Sequence, residues 1–310
     1  VTLPIVLAFG GNALLPSVKK PEEQEAKAQA LAQALLLIMP KKAGMVLLHG
    51  NGPQVGMILL RIEVTKDRIP AETLDVLVAE TQGSIGYLLS RALLNAMKDV
   101  GLKIEVATVM TQVLVDPKDP EFQSPSKPVG PFYSECEARL FQKNGWQMAK
   151  VKGKGWRRQV PSPRPKSVIE SHTIKGAVDH GHIVIAGGGG GIPVIKNLKG
   201  HLEGIEAVID KDRTAALMAV SLNAEILVIL TDVPHVAKNF GTPEERPIAE
   251  MDVAAAQQLL KSGQFPRGTM GPKVEAAVHY VSCLNRAALI TDVDHLKDAL
   301  QKKAGTWVVP

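Results

Sequence analysis

Three lysines in this chain have neighbours that suit chemistry. Lys273 closes the stretch GTMGPK (268–273), directly ahead of a helical pattern, VEAAVHYV. The first turn of a helix already carries partial positive charge, so a cation there needs an anion beside it. Lys211 lies between Asp210 and Asp212 in VIDKDR, just after the apolar run EAVI, which reads as a strand end. A flanking carboxylate fixes an ammonium group in place; Asp212 can serve that role or meet a metal. Lys127 lies in SPSKPVG. A phosphate shared by Lys273 and its helix N-terminus offsets their mutual repulsion.

Glycine-rich loops supply the matching half of such a site. PIVLAF (4–9) ends in Gly10, Gly11 and Asn12; MVLLH (45–49) ends in Gly50, Asn51 and Gly52; HIVIA (182–186) ends in the run Gly187 to Gly191. ILVIL (226–230) and AALI (287–290) end in Thr231-Asp232 and Thr291-Asp292. Glycine lets backbone N–H groups approach phosphate oxygens closely. Three such loops on the strand ends of one sheet suit two anions facing each other. Phosphoryl transfer asks for that arrangement, and it needs positioning and positive charge more than covalent chemistry.

Other chemistries lack their residues. GxxxxGK[ST] and GxGxxG are absent, as are HExxH, zinc-ligand spacing and GxSxG. The nearest dinucleotide-like turn, GNGPQVG (50–56), contains Pro53, which removes a backbone donor, and no acidic residue follows on the next strand. Aromatic residues make up only 4% of the chain and no block of like charge accompanies the net charge of +5, which argues against nucleic-acid binding. The apolar runs are far too short to cross a membrane. Two widely spaced cysteines, Cys136 and Cys283, form neither a disulfide framework nor a zinc site, and a reducing cytoplasm is the expected home.

The elements that must position these residues follow from periodicity. The apolar runs alternate little, so they read as strands buried on both faces of a parallel sheet covered by helices. The expected class is therefore α/β, with ligands beyond the carboxyl ends of the strands. Residues 22–39 and 74–99 read as helices; the second is largely apolar and holds Gly83 and Gly86, which suggests close helix contact at a dimer interface. Residues 112–166 are rich in proline and basic residues, with a helical piece at 134–143, and read as an inserted lid subdomain over the site.

Taken together the motifs resemble the carbamate kinases of the amino acid kinase fold family. The matching segments run from GGNALL (10–15) and HGNGPQVG (49–56) through ETQGSIGY (80–87), GGGGIPVI (188–195), EAVIDKD (206–212) and LVILTDV (227–233) to GTMGPK. The pair SKPVGPFY (126–133) and VPSPRPK (160–166) is the most specific, since it belongs to the protruding subdomain of carbamate kinases.

The resemblance implies one domain over 1–310, a three-layer αβα sandwich with a mainly parallel sheet, and a homodimer. It implies reversible transfer, ATP + carbamate ⇌ ADP + carbamoyl phosphate, with Mg²⁺ carried by the nucleotide and no confident protein ligand for metal. Use in arginine catabolism, to make ATP, is the implied setting. The lobe of about 1–200, with the lid, is expected to hold carbamate at Gly10, Gly11, Asn12, Gly50 and Asn51. The lobe of about 201–310 is expected to hold nucleotide at Asp210, Lys211, Asp232, Val236, Phe240, Met270 and Lys273. Lys127, Lys211, Asp212 and Lys273 are the implied catalytic set, with Lys127 supplying a charge that the first strand lacks. Another acylphosphate-forming amino acid kinase, or a non-catalytic nucleotide-binding regulator on this fold, are the alternatives. Arg213 stands where the family pattern leads one to expect an apolar side chain, Phe9 where leucine is usual, and the approach 149–154 (AKVKGK) is unusually basic.

Overall fold

The structure, a computed structural model, describes residues 3–10, 21–39, 44–266 and 268–310. Its centre is an eight-stranded sheet. The strands are β1 (Ile5–Phe9), β2 (Met45–His49), β3 (Val106–Thr108), β4 (Ile183–Ile185), β5 (Ile226–Leu230), β6 (Glu250–Asp252), β7 (Ala288–Thr291) and β8 (Thr306–Val309). Their order across the sheet is β6-β8-β7-β5-β1-β2-β4-β3. All neighbours from β7 to β3 pair in parallel; β8 runs antiparallel to β7, and β6 follows β8.

Helices cover both faces. They are α1 (Pro21–Leu36), α2 (Gly52–Thr65), α3 (Leu74–Asp99), α4 (Glu135–Lys143), α5 (Ser171–Asp179), α6 (Lys211–Ser221), α7 (Val253–Lys261), α8 (Met270–Leu284) and α9 (Leu296–Leu300). Alternate strand residues divide between two cores. Val6, Ala8, Val46, Leu48, Leu227 and Ile229 pack with α5, α6, α7 and α8. Leu7, Phe9, Met45, Leu47, Val228 and Leu230 pack with α1, α3 and α9. Burial on both faces explains why these strands are continuously apolar. Each such side chain contributes roughly 1.5–3 kcal/mol when fully buried, far more than strand propensity does.

The excursion after β3 has its own architecture. Gln112–Val115 and Pro165–Val168 pair antiparallel within a separate four-stranded sheet. Between them, Lys127–Tyr133, Gly155–Val160 and Gln147–Val151 form a three-stranded sheet under α4. Ser134 and Glu137 close a capping box at the start of α4. Tyr133, Ala138, Phe141 and Met148 make a small core there, flanked by Trp146 and Trp156.

One sequence expectation changes. EAVI is not a strand: residues 205–210 run irregularly into α6, and Lys211 is that helix's first residue. Gly86 does bring backbones close, but inside the chain: a Cβ there would collide with Thr108 on β3, while nothing lies near Gly83. No helix among the described residues is long and apolar enough to cross a membrane.

Candidate active site

The strand order changes direction between β1 and β5, with the amino-terminal strands on one side and the carboxy-terminal strands on the other. Chain connections diverge there and leave a crevice at the carboxyl ends. A cleft of about 270 Å³ opens at that point. Gly10 follows β1 into it, Gly50, Asn51 and Gly52 follow β2, and Leu230 ends β5 there with Thr231 and Asp232 following. Lys127 and Pro128 reach it from the excursion, and Gly268, Thr269 and Lys273 from the start of α8.

The charged wall is built around one helix start. Asp210 caps α6: its Oδ1 accepts from the Asp212 N–H at 3.0 Å. That cap points Lys211 and Asp212 into the cleft. Asp212 is only 2% exposed and accepts from two ammonium groups, Lys211 Nζ at 2.7 Å and Lys273 Nζ at 2.8 Å. Lys127 Nζ donates to Asp210 Oδ2 at 2.9 Å. Burial opposes charge on Asp210 and Asp212, yet the ammonium groups outweigh it and hold both carboxyls below the usual carboxylate range. Burial lowers the Lys211 ammonium despite Asp212; at Lys273 burial also works downward, but Asp212 together with Asp210 and hydrogen bonding outweighs it and raises the ammonium.

The opposite wall is neutral. Asn51 Nδ2 donates to Thr81 Oγ1 at 2.9 Å. Gln82 accepts from the Thr111 N–H at 2.8 Å and donates to the Gly188 carbonyl at 3.0 Å, which pins the glycine run. Gly189, at φ 68°, lies so close to Asn51 that any Cβ would overlap the amide. Thr214 Oγ1 of α6 donates to the Gly190 carbonyl at 2.7 Å, tying this wall to the charged one. His49 is fully buried behind Gly188; burial lowers its pKa to about 4, although a bond to the Gly50 carbonyl works the other way.

The amino acid kinase family model matches residues 4–292. The carbamate kinase of Thermococcus kodakarensis is 44% identical over 311 residues, covering 98% of each chain. The chain belongs to the amino acid kinase family, among its carbamate kinases. A relative from Trichomonas vaginalis, also a carbamate kinase, is 41% identical with 99% of each chain covered. The solved structure of carbamate kinase from Giardia lamblia bound to AMP-PNP superposes with a TM-score of 0.92 at 38% identity, covering 100% of this chain and 99% of that one.

In this amino acid kinase the fold brings Gly10, Gly50, Asn51, Lys127, Asp210, Lys211, Asp212, Asp232 and Lys273 around one cleft. Gly11 and Asn12 lie outside the described residues. The other three expected nucleotide residues do not line the cleft: Val236 is fully buried on a strand paired with Ile248, Phe240 is exposed, and Met270 packs against the core beneath α8. Arg213 spends its charge on Glu275 of α8 at 2.9 Å, linking the two helices that carry the lysines. Thr81, Gln82, Thr214 and His49 were not candidates from sequence. Their signal was available: Thr81 and Gln82 are polar residues on an otherwise apolar helix face.

Among the described residues no group of three or more His, Cys, Asp or Glu has metal-ligand geometry. Two of the cleft's three carboxylates, Asp210 and Asp212, are engaged by lysines. A divalent ion fits here as part of a nucleotide, held mainly by phosphate oxygens.

Proposed function

We propose that this chain catalyses ATP + carbamate ⇌ ADP + carbamoyl phosphate, with Mg²⁺ entering as the nucleotide complex. The observation that carries it is the pairing of Lys211 and Lys273 on one buried carboxylate, facing a neutral glycine and amide wall across a single cleft. A carbamate oxygen attacks the terminal phosphorus of ATP, the new P–O bond forms as the bond to the ADP oxygen breaks, and charge spreads over the transferring oxygens. Lys211 and Lys273 stabilise that charge, and Asp212 keeps them apart and aimed. Lys127 leaves Asp210 for the phosphoryl group of carbamoyl phosphate.

In this reading the residues of about 1–200 hold carbamate, at Gly10, Gly11, Asn12, Gly50 and Asn51. Those of about 201–310 hold the nucleotide, with its phosphates at Asp210, Lys211 and Lys273 and the base reaching past the cleft toward Asp232, Val236, Phe240 and Met270. The fold of 112–166 acts as a lid that brings Lys127 to the site. Exposed apolar residues along α3, Val76, Tyr87 and Leu94, suit a homodimer. The exposed free thiols Cys136 and Cys283 suit a reducing cytoplasm. The physiological direction is ATP formation from carbamoyl phosphate in arginine catabolism.

The test is the choice of acceptor. Purified protein with MgATP is expected to consume ATP with carbamate, generated from ammonium and bicarbonate, and not with glutamate or acetylglutamate. ATP use with either amino acid instead of carbamate contradicts the proposal.

A further inference from the structure

We infer that Thr81 holds the Asn51 amide so that its carbonyl oxygen faces the ligand and reads the amino group of carbamate. The inference rests on the carbamate kinase reading and specifies how the acceptor is chosen.

Thr81 lies on α3 with no solvent exposure. Its hydroxyl has a single hydrogen, and that hydrogen is committed to the Val78 carbonyl at 2.8 Å. Toward Asn51 it therefore acts as an acceptor, and the group at 2.9 Å is Nδ2. The nitrogen end of the amide is thereby turned to the helix. Asn51 lines the cleft, and its Oδ1 accepts from no described residue. On the other side of the amide the backbone of Gly189 packs so closely that a Cβ would overlap Nδ2, so the side chain has little room to turn.

Carbamate has two oxygens that need donors and one NH₂ that needs an acceptor. Donors are plentiful in the cleft: Lys127, Lys211, Lys273 and the N-terminus of α2 at Gly52. Side-chain acceptors are fewer: the carboxylates of Asp210 and Asp212 are occupied by lysines, and Asp232 lies beyond β5, on the nucleotide side in this reading. A neutral amide oxygen accepts from NH₂ without setting a negative charge beside the transferring phosphoryl group. It leaves an unsatisfied contact when the same position carries a methyl group. Thr81 is then a positioning residue, and Asn51 the residue that separates carbamate from acids of the same shape.

The experiment compares carbamoyl phosphate with acetyl phosphate, in which methyl replaces the amino group, as phosphoryl donors to MgADP. The readout is the ratio of the two kcat/KM values. The wild type is expected to favour carbamoyl phosphate by at least about a hundredfold, as sites built around a substrate N–H do. Thr81→Val should lower the ratio about tenfold, the scale of one hydrogen bond, with the KM for ADP unchanged, and Thr81→Ser should restore it. Asn51→Leu, close in volume, should remove the preference, and it tests the same claim if Thr81→Val does not fold. A wild type that uses both donors equally, or an unchanged ratio in Thr81→Val or Asn51→Leu, overturns the inference. A wild type that makes no ATP from carbamoyl phosphate overturns the carbamate kinase reading, and this inference with it.

Discussion

The two walls of the cleft solve opposite problems. The charged wall gathers Lys211, Lys273, Asp210, Asp212 and Asp232 from the carboxy-terminal half with Lys127 reaching in from the excursion, so formal charges balance before any phosphate arrives. The opposite wall carries no charge; Gly10, Gly50, Asn51 and Gly189 line it, and Gly189 packs its backbone directly against the Asn51 amide. One wall is strong but must be unpaired to work. The other is weak in charge but fixed in form. The difference teaches that transfer and recognition are separated: the charged wall stabilises the moving phosphoryl group, and the neutral wall selects what receives it.

The largest expected effect lies in the charged wall. Asp212→Asn leaves two buried ammonium groups without their shared partner. Breaking a buried ion pair in this way costs about 3–5 kcal/mol of stability. Turnover should also fall by about 10²–10³-fold, the scale of one misplaced electrostatic group. Thermal unfolding and ATP formation report the two losses; a stable, active variant would remove the distinction between the walls.

A smaller and differently placed effect is expected for Gly189→Ala. The backbone there sits at φ 68°, and the new methyl would strike the Asn51 amide. Left-handed geometry alone costs a non-glycine residue about 1–3 kcal/mol. The KM for carbamoyl phosphate should rise tenfold or more while ADP binding, measured calorimetrically, holds. Equal losses for both ligands would show that the walls do not act separately.

Mild acid should sharpen the contrast further. His49 lies behind the neutral wall with its pKa lowered to about 4 from the usual 6.5. As pH falls below 6.5 the unfolded chain takes up the proton first, so stability drops until about pH 4, by on the order of 3 kcal/mol. Asp210 and Asp212 behave otherwise: their lowered folded-state pKa values keep their contribution intact above the ordinary carboxylate range and release it only in stronger acid. Unfolding free energies for wild type and His49→Gln from pH 7 to 4 should diverge, with the variant flatter; parallel curves would assign the acid loss elsewhere.

The walls were also unequally legible in the sequence. Continuous apolar runs ending in glycine located β1, β2 and β4, and runs ending in Thr-Asp located β5 and β7, because burial on both faces leaves no other pattern. The edge strand Glu250–Asp252 and its neighbour Thr306–Val309 escaped notice: they are short, and EMD has little apolar signal apart from Met251. EAVI was misread as a strand for a physical reason. Ala207 and Ile209 are buried in the body, whereas Val208 packs with Val129 and Val160 of the excursion and donates its N–H to Pro161. Tertiary packing gave it the apolarity of a strand without a sheet ladder. The lysines and Asp212 stood out through charge at unusual places. Thr81, Gln82 and Thr214 did not, since their roles depend on contacts with residues 24 to 106 positions away.

The most direct measurement is ATP formation by the purified chain from carbamoyl phosphate and MgADP. Sustained ATP synthesis, lost by about 10²–10³-fold in Lys273→Ala, is the expected result. ADP binding without ATP synthesis in the wild type would contradict the account, because a complete charged wall facing a complete neutral wall would then fail to transfer a phosphoryl group between them.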